Sequence, residues 1–203
     1  MEIYLIRHGE TDYNKQRRLQ GIGDIPLNAR GIELARRTAE GLLDVPFDKI
    51  YTSPLIRAKK TAEIIRGSRD IEIIPTDSLL EISFGDYEGL TVREEDYNIP
   101  DPEFRNFFEA PHLYHTPPNG ESIEQMRERT TSFIRQVMED PKQEGKTILM
   151  ASHGAAIRGI LSGLQGLPVS RFWEGGVHKN CAVSLIRAEK GKFEIVFENR
   201  VYY

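Results

Sequence analysis

The sequence predicts an α/β fold: a three-layer α/β/α sandwich with a mostly parallel central sheet, helices on both faces and an inserted cap segment. Three observations carry this prediction. Short apolar runs typical of buried strands alternate with stretches of helical periodicity along most of the chain. Two of these runs end in a His-Gly pair, which places both pairs at the carboxyl rim of a parallel sheet. An irregular, proline-bearing stretch interrupts the alternation and predicts the cap.

The strands are predicted from apolar runs bounded by polar or turn residues. Four runs predict the parallel strands, at residues 3–6, 47–52, 71–75 and 146–152. Two further runs, at 183–187 and 193–197, are joined across the turn residues 189–192. They predict a hairpin or meander that adds an antiparallel element to the sheet.

The first long helix is predicted from its cap and its periodicity. Asn28 is a residue type that favours the N-cap, where its side chain accepts a backbone N–H. The residues expected on the buried face of this helix are Ile32, Ala35, Ala39 and Leu42.

Three more helices follow from similar signals. Ser53 and Pro54 predict a helix start, with Ser53 as N-cap and Pro54 at the first helical position. Ser122 and Gln125 form the pattern of a capping box ahead of another helix. Apolar periodicity after the fourth strand predicts a helix over residues 154–164.

The cap is predicted at about residues 82–120, within a single domain that covers residues 1–203. It is rich in aromatic side chains, which linkers rarely carry. These side chains either line a ligand pocket or pack the cap onto the rest of the domain, and the sequence leaves both alternatives open. The residues concerned are Phe104, Phe107, Phe108, His112, Tyr114 and His115.

Composition excludes several classes of function. The 203 residues carry a formal net charge of −4, which argues against a nucleic-acid binder with a basic face. No stretch of 18 apolar residues is present, so no membrane span is expected. The single cysteine, Cys181, cannot form an internal disulfide, and no signal-peptide pattern follows Met1. We therefore expect a cytoplasmic protein, and the sequence makes no prediction of its oligomeric state.

Chemistry is predicted at the rim of the sheet. His8 stands between Arg7, whose planar fork matches phosphate oxygens, and a glycine that permits close approach of a ligand. His153 precedes the helix whose first amides, near Gly154, would face an anion. Arg57 directs a cation toward the same rim. Together these residues indicate a site for an anionic ligand.

Four motifs in this chain resemble those of the histidine phosphatase superfamily, the phosphoglycerate mutase-like proteins. They are LIRHGET at residues 5–11, TSPLIRA at 52–58, Glu81 followed by FGDYEG at 84–89, and SHG at 152–154. The motifs occur in the order of the family and span most of the chain.

This resemblance implies a mechanism and assigns catalytic residues. His8 would attack phosphorus and form a phosphohistidine, while Arg7, Arg57 and His153 would bind the phosphoryl oxygens. Glu81 would protonate the leaving oxygen and then deprotonate the attacking water. The implied enzyme is a metal-independent histidine acid-type phosphatase that needs no cofactor.

The resemblance also implies substrate-binding positions. Asn14 matches the phosphate-contacting asparagine of the family, and Gln20 and Gly21 match its ligand loop. Gly154 is added to this set by the helix-terminus argument. The expected partner is a small phosphorylated metabolite, with no nucleic acid and no membrane.

Two alternatives remain open. A cofactor-dependent phosphoglycerate mutase typically has a lysine in the stretch after the family glutamate and a longer C-terminal tail. Residues 90–99 contain no lysine and Tyr203 follows soon after the last strand, so we expect a phosphatase. The other alternative is a catalytically silent module that binds phosphorylated ligands. A second acidic group on the substrate could meet Arg93 or Arg105, and the sequence does not identify the substrate.

Overall fold

A six-stranded sheet forms the centre of the fold, and the computed structural model describes residues 1–203. The strands are β1 (Glu2–Arg7), β2 (Lys49–Thr52), β3 (Ile73–Pro75), β4 (Thr147–Ser152), β5 (Val183–Glu189) and β6 (Lys192–Arg200). They lie in the order β3-β2-β4-β1-β5-β6.

Strand pairing confirms a mostly parallel sheet. β1 pairs with β4, β4 with β2, and β2 with β3, and all three pairings are parallel. β5 pairs antiparallel with β1, and β6 pairs antiparallel with β5, as the hairpin prediction requires. The carboxyl ends of the four parallel strands therefore meet at one edge, and the segments that follow them can build one site.

Helices cover both faces of the sheet. They are α1 (Asp12–Lys15), α2 (Ala29–Gly41), α3 (Ile56–Arg66), α4 (Asn106–Glu109), α5 (Ile123–Glu139) and α6 (Gly154–Leu164). One face of the sheet packs against α5 and α6, and the other packs against α2 and α3. Alternate residues of each strand point to the two faces, as the pleat requires: Leu5 packs on the side of α5 and α6, and Ile6 on the side of α2 and α3.

The prediction for the start of α3 is wrong. Neither Ser53 nor Pro54 belongs to this helix, which begins at Ile56. The first helical N–H, on Ile56, donates to the carboxylate of Asp24 at 2.7 Å. The hydroxyl of Ser53 instead lies 2.8 Å from a ring nitrogen of His153. Tertiary contacts therefore override the local capping signal.

The predicted face of α2 is rotated by about one residue. Asn28 caps this helix as expected, and Ala35 and Leu42 are buried as predicted. Ile32 and Ala39 are only half-buried, whereas Gly31, Leu34 and Thr38 are buried. In the first turn, Gly31 packs directly on the backbone of Glu10. A Cβ atom on Gly31 would lie 2.1 Å from the Glu10 carbonyl oxygen.

The segment between β3 and α5 has little regular structure besides 3-10 turns and the single turn of α4. Its aromatic and aliphatic side chains form a separate core cluster that packs against the beginnings of α5 and α6. The cluster includes Phe84, Phe104, Phe107, Met126 and Ala156. No helix of the fold is long and apolar enough to cross a membrane.

Candidate active site

His8 follows directly after β1, and its ring is almost fully buried. The ring Nδ1–H donates to the carbonyl oxygen of Gly9 at 2.6 Å. Because a neutral imidazole carries one proton, this bond leaves the Nε2 atom with a free lone pair. The backbone next to His8 thus fixes the tautomer and the orientation of the ring.

The surroundings of His8 also control its charge. Burial holds the pKa of His8 well below its ordinary value, and the guanidinium groups of Arg57 and Arg7 lower this pKa further. The hydrogen bond to Gly9 acts in the opposite direction but has the smallest effect of the four. The ring is therefore neutral at neutral pH, which is the state that a nitrogen nucleophile needs.

His153 lies beside His8, at the N-cap position of α6. The ring centroids of the two histidines are 5.1 Å apart, and their planes are inclined by 59°. The Nε2 atom of His153 lies 2.8 Å from the Ser53 hydroxyl, whereas its buried Nδ1 atom has no hydrogen-bond partner. Burial and then the charge of Arg57 lower the pKa of His153 well below its ordinary value. The two histidines are thus a neutral, adjacent pair.

Two guanidinium groups flank this pair, and backbone carbonyls hold both of them. Arg7 Nη1 donates to the carbonyl of His178 at 2.5 Å. Arg57 is fully buried, and its two terminal nitrogens donate to the carbonyls of Gly23 and Gly21 at 2.6 and 2.7 Å. Burial lowers the pKa of Arg57 to about 10, which leaves the group charged at neutral pH. The Nε atoms of both arginines have no partner within the protein.

The carboxylate of Glu81 lies at the N-terminus of α6. It accepts the N–H of Ala155 at 3.2 Å, that of Ala156 at 2.9 Å and that of Ile82 at 3.0 Å. The first amides of α6 thus face a carboxylate of the protein, where the sequence predicted a ligand anion. Gly154 still lies at the site, because a Cβ there would come within 3.5 Å of Arg7 Nε.

The loop after β1 supplies polar groups on a second side. Asn14 Oδ1 accepts two hydrogen bonds, from the N–H of Thr11 and from the side-chain amide of Asn180. This leaves the amide N–H groups of Asn14 as donors for a ligand. The buried Gln20 side chain accepts the Thr11 hydroxyl at 2.8 Å. Gly21 has φ +49°, and a Cβ there would lie 2.0 Å from a carboxylate oxygen of Glu88, so a larger residue would be strained and would displace that carboxylate.

These groups surround one cavity of about 190 Å³. The predicted residues that line it are Arg7, His8, Asn14, Gln20, Gly21, Arg57, Glu81 and Gly154. His153 is fully buried and does not line the cavity wall; its ring lies beside that of His8. The structure thus brings all the predicted site residues together, eight at the wall and one in contact with His8.

Cap aromatics play both of the roles that the sequence left open. Phe107 and Phe108 line the cavity, together with Phe84. Phe104 packs inside the cap cluster and Tyr114 packs against that cluster; neither reaches the cavity. His112 and His115 are exposed and do not line it either. The cavity therefore offers apolar contacts beside its charged groups.

The cationic side chains at the mouth differ from those expected. Arg93 forms an exposed ion pair with Asp96, and Arg105 lies over the ring of Tyr97, so neither lines the cavity. Arg17 and Arg18 line it instead. They belong to the loop after β1, whose backbone pairs with the cap: the N–H of Leu19 donates to the carbonyl of Leu90, and the N–H of Val92 donates to the carbonyl of Arg17.

Sequence reasoning missed three residues that build the site. Trp173 lines the cavity and stacks on Phe108, although it lies far beyond the cap in sequence. The side chain of Asn180 joins Asn14 to the carbonyl of His8, at 3.2 and 3.1 Å. Glu88 accepts the N–H groups of Ile22 and Phe84. Only Glu88 had a signal in the sequence, since it stands within the motif at 84–89.

Comparisons with known proteins identify relatives over almost the whole chain. It is 38% identical to the uncharacterized phosphatase PhoE of Bacillus subtilis over 81% of this chain and 77% of that protein. It is 32% identical to phosphoserine phosphatase 1 of Hydrogenobacter thermophilus, over 94% of this chain and 88% of the relative. It is 31% identical to the probable phosphoglycerate mutase GpmB of Salmonella arizonae, over 95% and 87% of the two chains.

A solved structure, that of YhfR from Bacillus stearothermophilus, superposes with a TM-score of 0.91 at 35% identity, covering 98% of this chain and 97% of that one. The family model of the histidine phosphatase superfamily (branch 1) matches residues 3–200. The α/β fold and the four motifs thus agree with the wider comparison: this chain belongs to the histidine phosphatase superfamily.

Proposed function

We propose that this protein is a phosphomonoester phosphatase that acts through a phosphohistidine on His8, with Glu81 as the proton donor. The observation that carries the proposal is the state of His8. Its Nδ1–H donates to the carbonyl of Gly9 and its pKa is lowered, so the lone pair on Nε2 is available. The cavity that His8 lines is also lined by Arg7, Arg57 and Glu81.

In the first step the Nε2 atom of His8 forms a bond to phosphorus, and the bond from phosphorus to the leaving oxygen breaks. Glu81 gives its proton to that oxygen, and the product alcohol departs. In the second step water attacks phosphorus, Glu81 takes a proton from the water, and the phosphorus–nitrogen bond breaks. Inorganic phosphate leaves and His8 returns to its neutral state.

The cations stabilise the charge that develops on the transferring group. The two Nε atoms of Arg7 and Arg57 have no partner within the protein, and both groups already depress the pKa of His8. Preorganised donors of this kind typically contribute about 10²–10³ in rate each. His153 packs directly beside His8 and does not line the cavity, so its role is to support the His8 ring during phosphoryl transfer.

The size of the cavity favours a small phosphorylated metabolite as substrate. At about 190 Å³ it is smaller than the ~300 Å³ at which drug-sized ligand sites begin. The relatives named as phosphoserine phosphatase and phosphoglycerate mutase support the same size class. The cytoplasmic location remains a prediction from the sequence.

A phosphoglycerate mutase is the second candidate, because a relative of that name matches 95% of this chain. The two activities differ in what accepts the phosphoryl group from His8. Water accepts it in a phosphatase, whereas a substrate hydroxyl accepts it in a mutase. Interconversion of 2- and 3-phosphoglycerate that outpaces release of phosphate would select the mutase and exclude our proposal.

The test is hydrolysis of p-nitrophenyl phosphate, together with trapping of a phosphoenzyme by rapid acid quench and mass spectrometry. We expect His8→Ala to abolish both turnover and the phosphoenzyme. His153→Ala should slow formation of the phosphoenzyme but leave its site on His8. Turnover should persist in EDTA, since no step of the proposal uses a metal.

The exposed His112 provides the matched control, and His112→Ala should hydrolyse the substrate like the parent protein. Equal hydrolysis by the parent and His8→Ala would contradict the proposal. A phosphoryl group trapped on His153 would reverse the roles of the two histidines. Binding of phosphorylated ligands without any turnover would identify a silent binding module instead.

A further inference from the structure

The segment that leads into Glu81 is held at every carbonyl by side chains from elsewhere in the fold. Arg129 Nη1 donates to the carbonyls of residues 77, 78 and 80, at 3.1, 3.1 and 3.2 Å, and its Nη2 donates to the carbonyl of Glu81 at 3.4 Å. The remaining carbonyl, that of Leu79, accepts the Ser152 hydroxyl at 2.8 Å. One arginine on α5 thus fixes most of the backbone that presents the proposed proton donor.

The guanidinium of Arg129 is itself fixed. Its Nε and Nη2 donate to the two carboxylate oxygens of Glu121, at 3.0 and 2.8 Å. The pair is 25% and 20% exposed, so it is partly shielded from water. A two-point pair of this kind holds the plane of the guanidinium as well as its position. Each nitrogen of Arg129 therefore has a partner within the protein, and Arg129 has no free nitrogen to offer a phosphoryl group.

Arg129 approaches Glu81 from the side away from His8. It does not line the cavity that contains His8. It lines a second cavity of about 350 Å³ on the other side, and Glu81 lines both cavities. Glu81 thus lies between the two cavities. Without Arg129, the second cavity would give the 77–81 backbone room to move away from His8.

We propose that Arg129 is a positioning residue for proton transfer: it holds the 77–81 backbone so that the Glu81 carboxylate stays within reach of the leaving oxygen. This inference rests on the proposed function of Glu81. Proton transfer depends steeply on distance, and a displacement of about 1 Å can cost ~10²-fold in rate. An arginine that only stabilised the fold would lower all activities alike.

Leaving groups of different acidity separate these two roles. Departure of p-nitrophenolate needs little protonation, whereas departure of an alkoxide depends on the acid. The measured quantity is kcat/KM, because it reports the steps up to departure of the first product and not the later hydrolysis of the phosphohistidine. We expect Arg129→Met to lower kcat/KM for propyl phosphate at least about 10-fold more than for p-nitrophenyl phosphate.

Two comparisons control this measurement. Arg127 lies on the same helix and donates only to the carbonyl of Leu167, so Arg127→Met should leave the ratio of the two kcat/KM values unchanged. Glu81→Gln should show the same selective loss as Arg129→Met. In the Glu81→Gln background, Arg129→Met should reduce activity by less than about 2-fold, because the group that it positions is already inactive.

The inference would be overturned if Arg129→Met lowered kcat/KM equally for both substrates. It would also be overturned if Arg129→Met had as large an effect in the Glu81→Gln background as in the parent protein. If Arg129→Met does not fold, Glu121→Gln takes its place, since it frees one side of the guanidinium and should shift the ratio in the same direction. A Glu81→Gln protein without selective loss would refute the proposed role of Glu81 itself. Selective loss in Glu81→Gln but not in Arg129→Met or Glu121→Gln would refute only the role of Arg129.

Discussion

Three of the five histidines are buried: His8, His153 and His178. Burial is the main cause that lowers the pKa of each, to about 3 for His178 and well below the ordinary value for the other two. Nearby arginines lower these pKa values further. All three rings are therefore neutral in the folded protein at neutral pH, whereas in the unfolded chain they bind protons near pH 6.5.

This difference predicts that the protein loses stability in mild acid. A group whose pKa is depressed by folding contributes stability above its unfolded pKa, and that contribution is lost as the pH falls toward the folded pKa. Each buried histidine should reduce the free energy of unfolding by up to about 1.4 kcal/mol per pH unit below pH 6.5. Urea unfolding measured between pH 7.5 and 5 should show this decline.

His178 allows this effect to be assigned, because it lies outside the proposed chemistry. Its ring packs 2.6 Å from the Ser184 hydroxyl, and only its carbonyl contacts Arg7. His178→Gln should reduce the slope of the unfolding free energy against pH by about 1.4 kcal/mol per pH unit, the contribution of one proton. His112→Gln, at an exposed position, should not change the slope. A stability that does not vary between pH 6.5 and 5 would contradict neutral burial of these rings.

At the scale of elements, the start of α3 shows how a distant residue can cap a helix. Asp24 lies in the loop after β1, and its carboxylate accepts the first N–H of the helix that carries Arg57. The same loop supplies the two carbonyls that bind the Arg57 guanidinium. The contact between Asp24 and Ile56 thus joins the loop after β1 to α3, the helix that carries Arg57 to the cavity.

We expect Asp24→Ala to lower the free energy of unfolding by about 1 kcal/mol, the usual cost of a lost N-cap. Asp24→Asn should lose less, because it keeps an oxygen acceptor. Asp70 is exposed and its side chain makes no hydrogen bond, so Asp70→Ala should stay within about 0.5 kcal/mol of the parent. Denaturant unfolding measures the free energy of unfolding of all three variants. Equal stability of Asp24→Ala and Asp70→Ala would show that Asp24 does not cap α3.

Signals that act within a few residues were predictable from the sequence. The capping box of Ser122 and Gln125, the cap at Asn28 and the bounds of α6 all agree with the structure. In contrast, Ser53 was misinterpreted because its hydroxyl is used by His153, 100 residues away. No local pattern records such a contact.

In the candidate site, the residues that follow a strand or lie in a motif were predictable from the sequence, and those brought in by tertiary packing were not. Strand ends and motifs identify the groups that face the cavity, because the topology of a parallel sheet gathers strand ends. Trp173 and Asn180 were missed because they reach the site through the packing of the chain after α6, which periodicity does not describe. The occupation of the α6 amides by Glu81 is likewise a tertiary contact.

For the whole molecule, the cap and the sheet share structural elements. The cap cluster contains Ile123 and Met126 of α5 and Ala155 of α6, while later residues of the same helices pack on the sheet. The single-domain organisation over residues 1–203 remains a prediction, and these shared helices favour it. Because the core cluster of the cap includes residues of α5 and α6, the cap cannot keep that cluster once these helices unfold.

We therefore expect one cooperative unfolding transition. Trp173 is the only tryptophan, and its indole N–H donates to the carbonyl of Phe107, so its fluorescence reports on the cap. Far-ultraviolet circular dichroism reports on the helices and strands together. The two urea transitions should coincide. A fluorescence transition at clearly lower urea would show that the cap unfolds separately from the sheet.

The relative position of His8 and His153 depends on the register in which β1 and β4 pair. Arg7 pairs with Ser152, and the N–H of His8 donates to the carbonyl of Ser152 at 3.0 Å, so the two histidines leave their strands at the same level. A slip of one residue would displace one ring by about 3.3 Å and turn the side chains of that strand to the opposite face. The apolar alternation that keeps Leu5 and Met150 in the core on one face therefore also sets the spacing of the His8 and His153 rings.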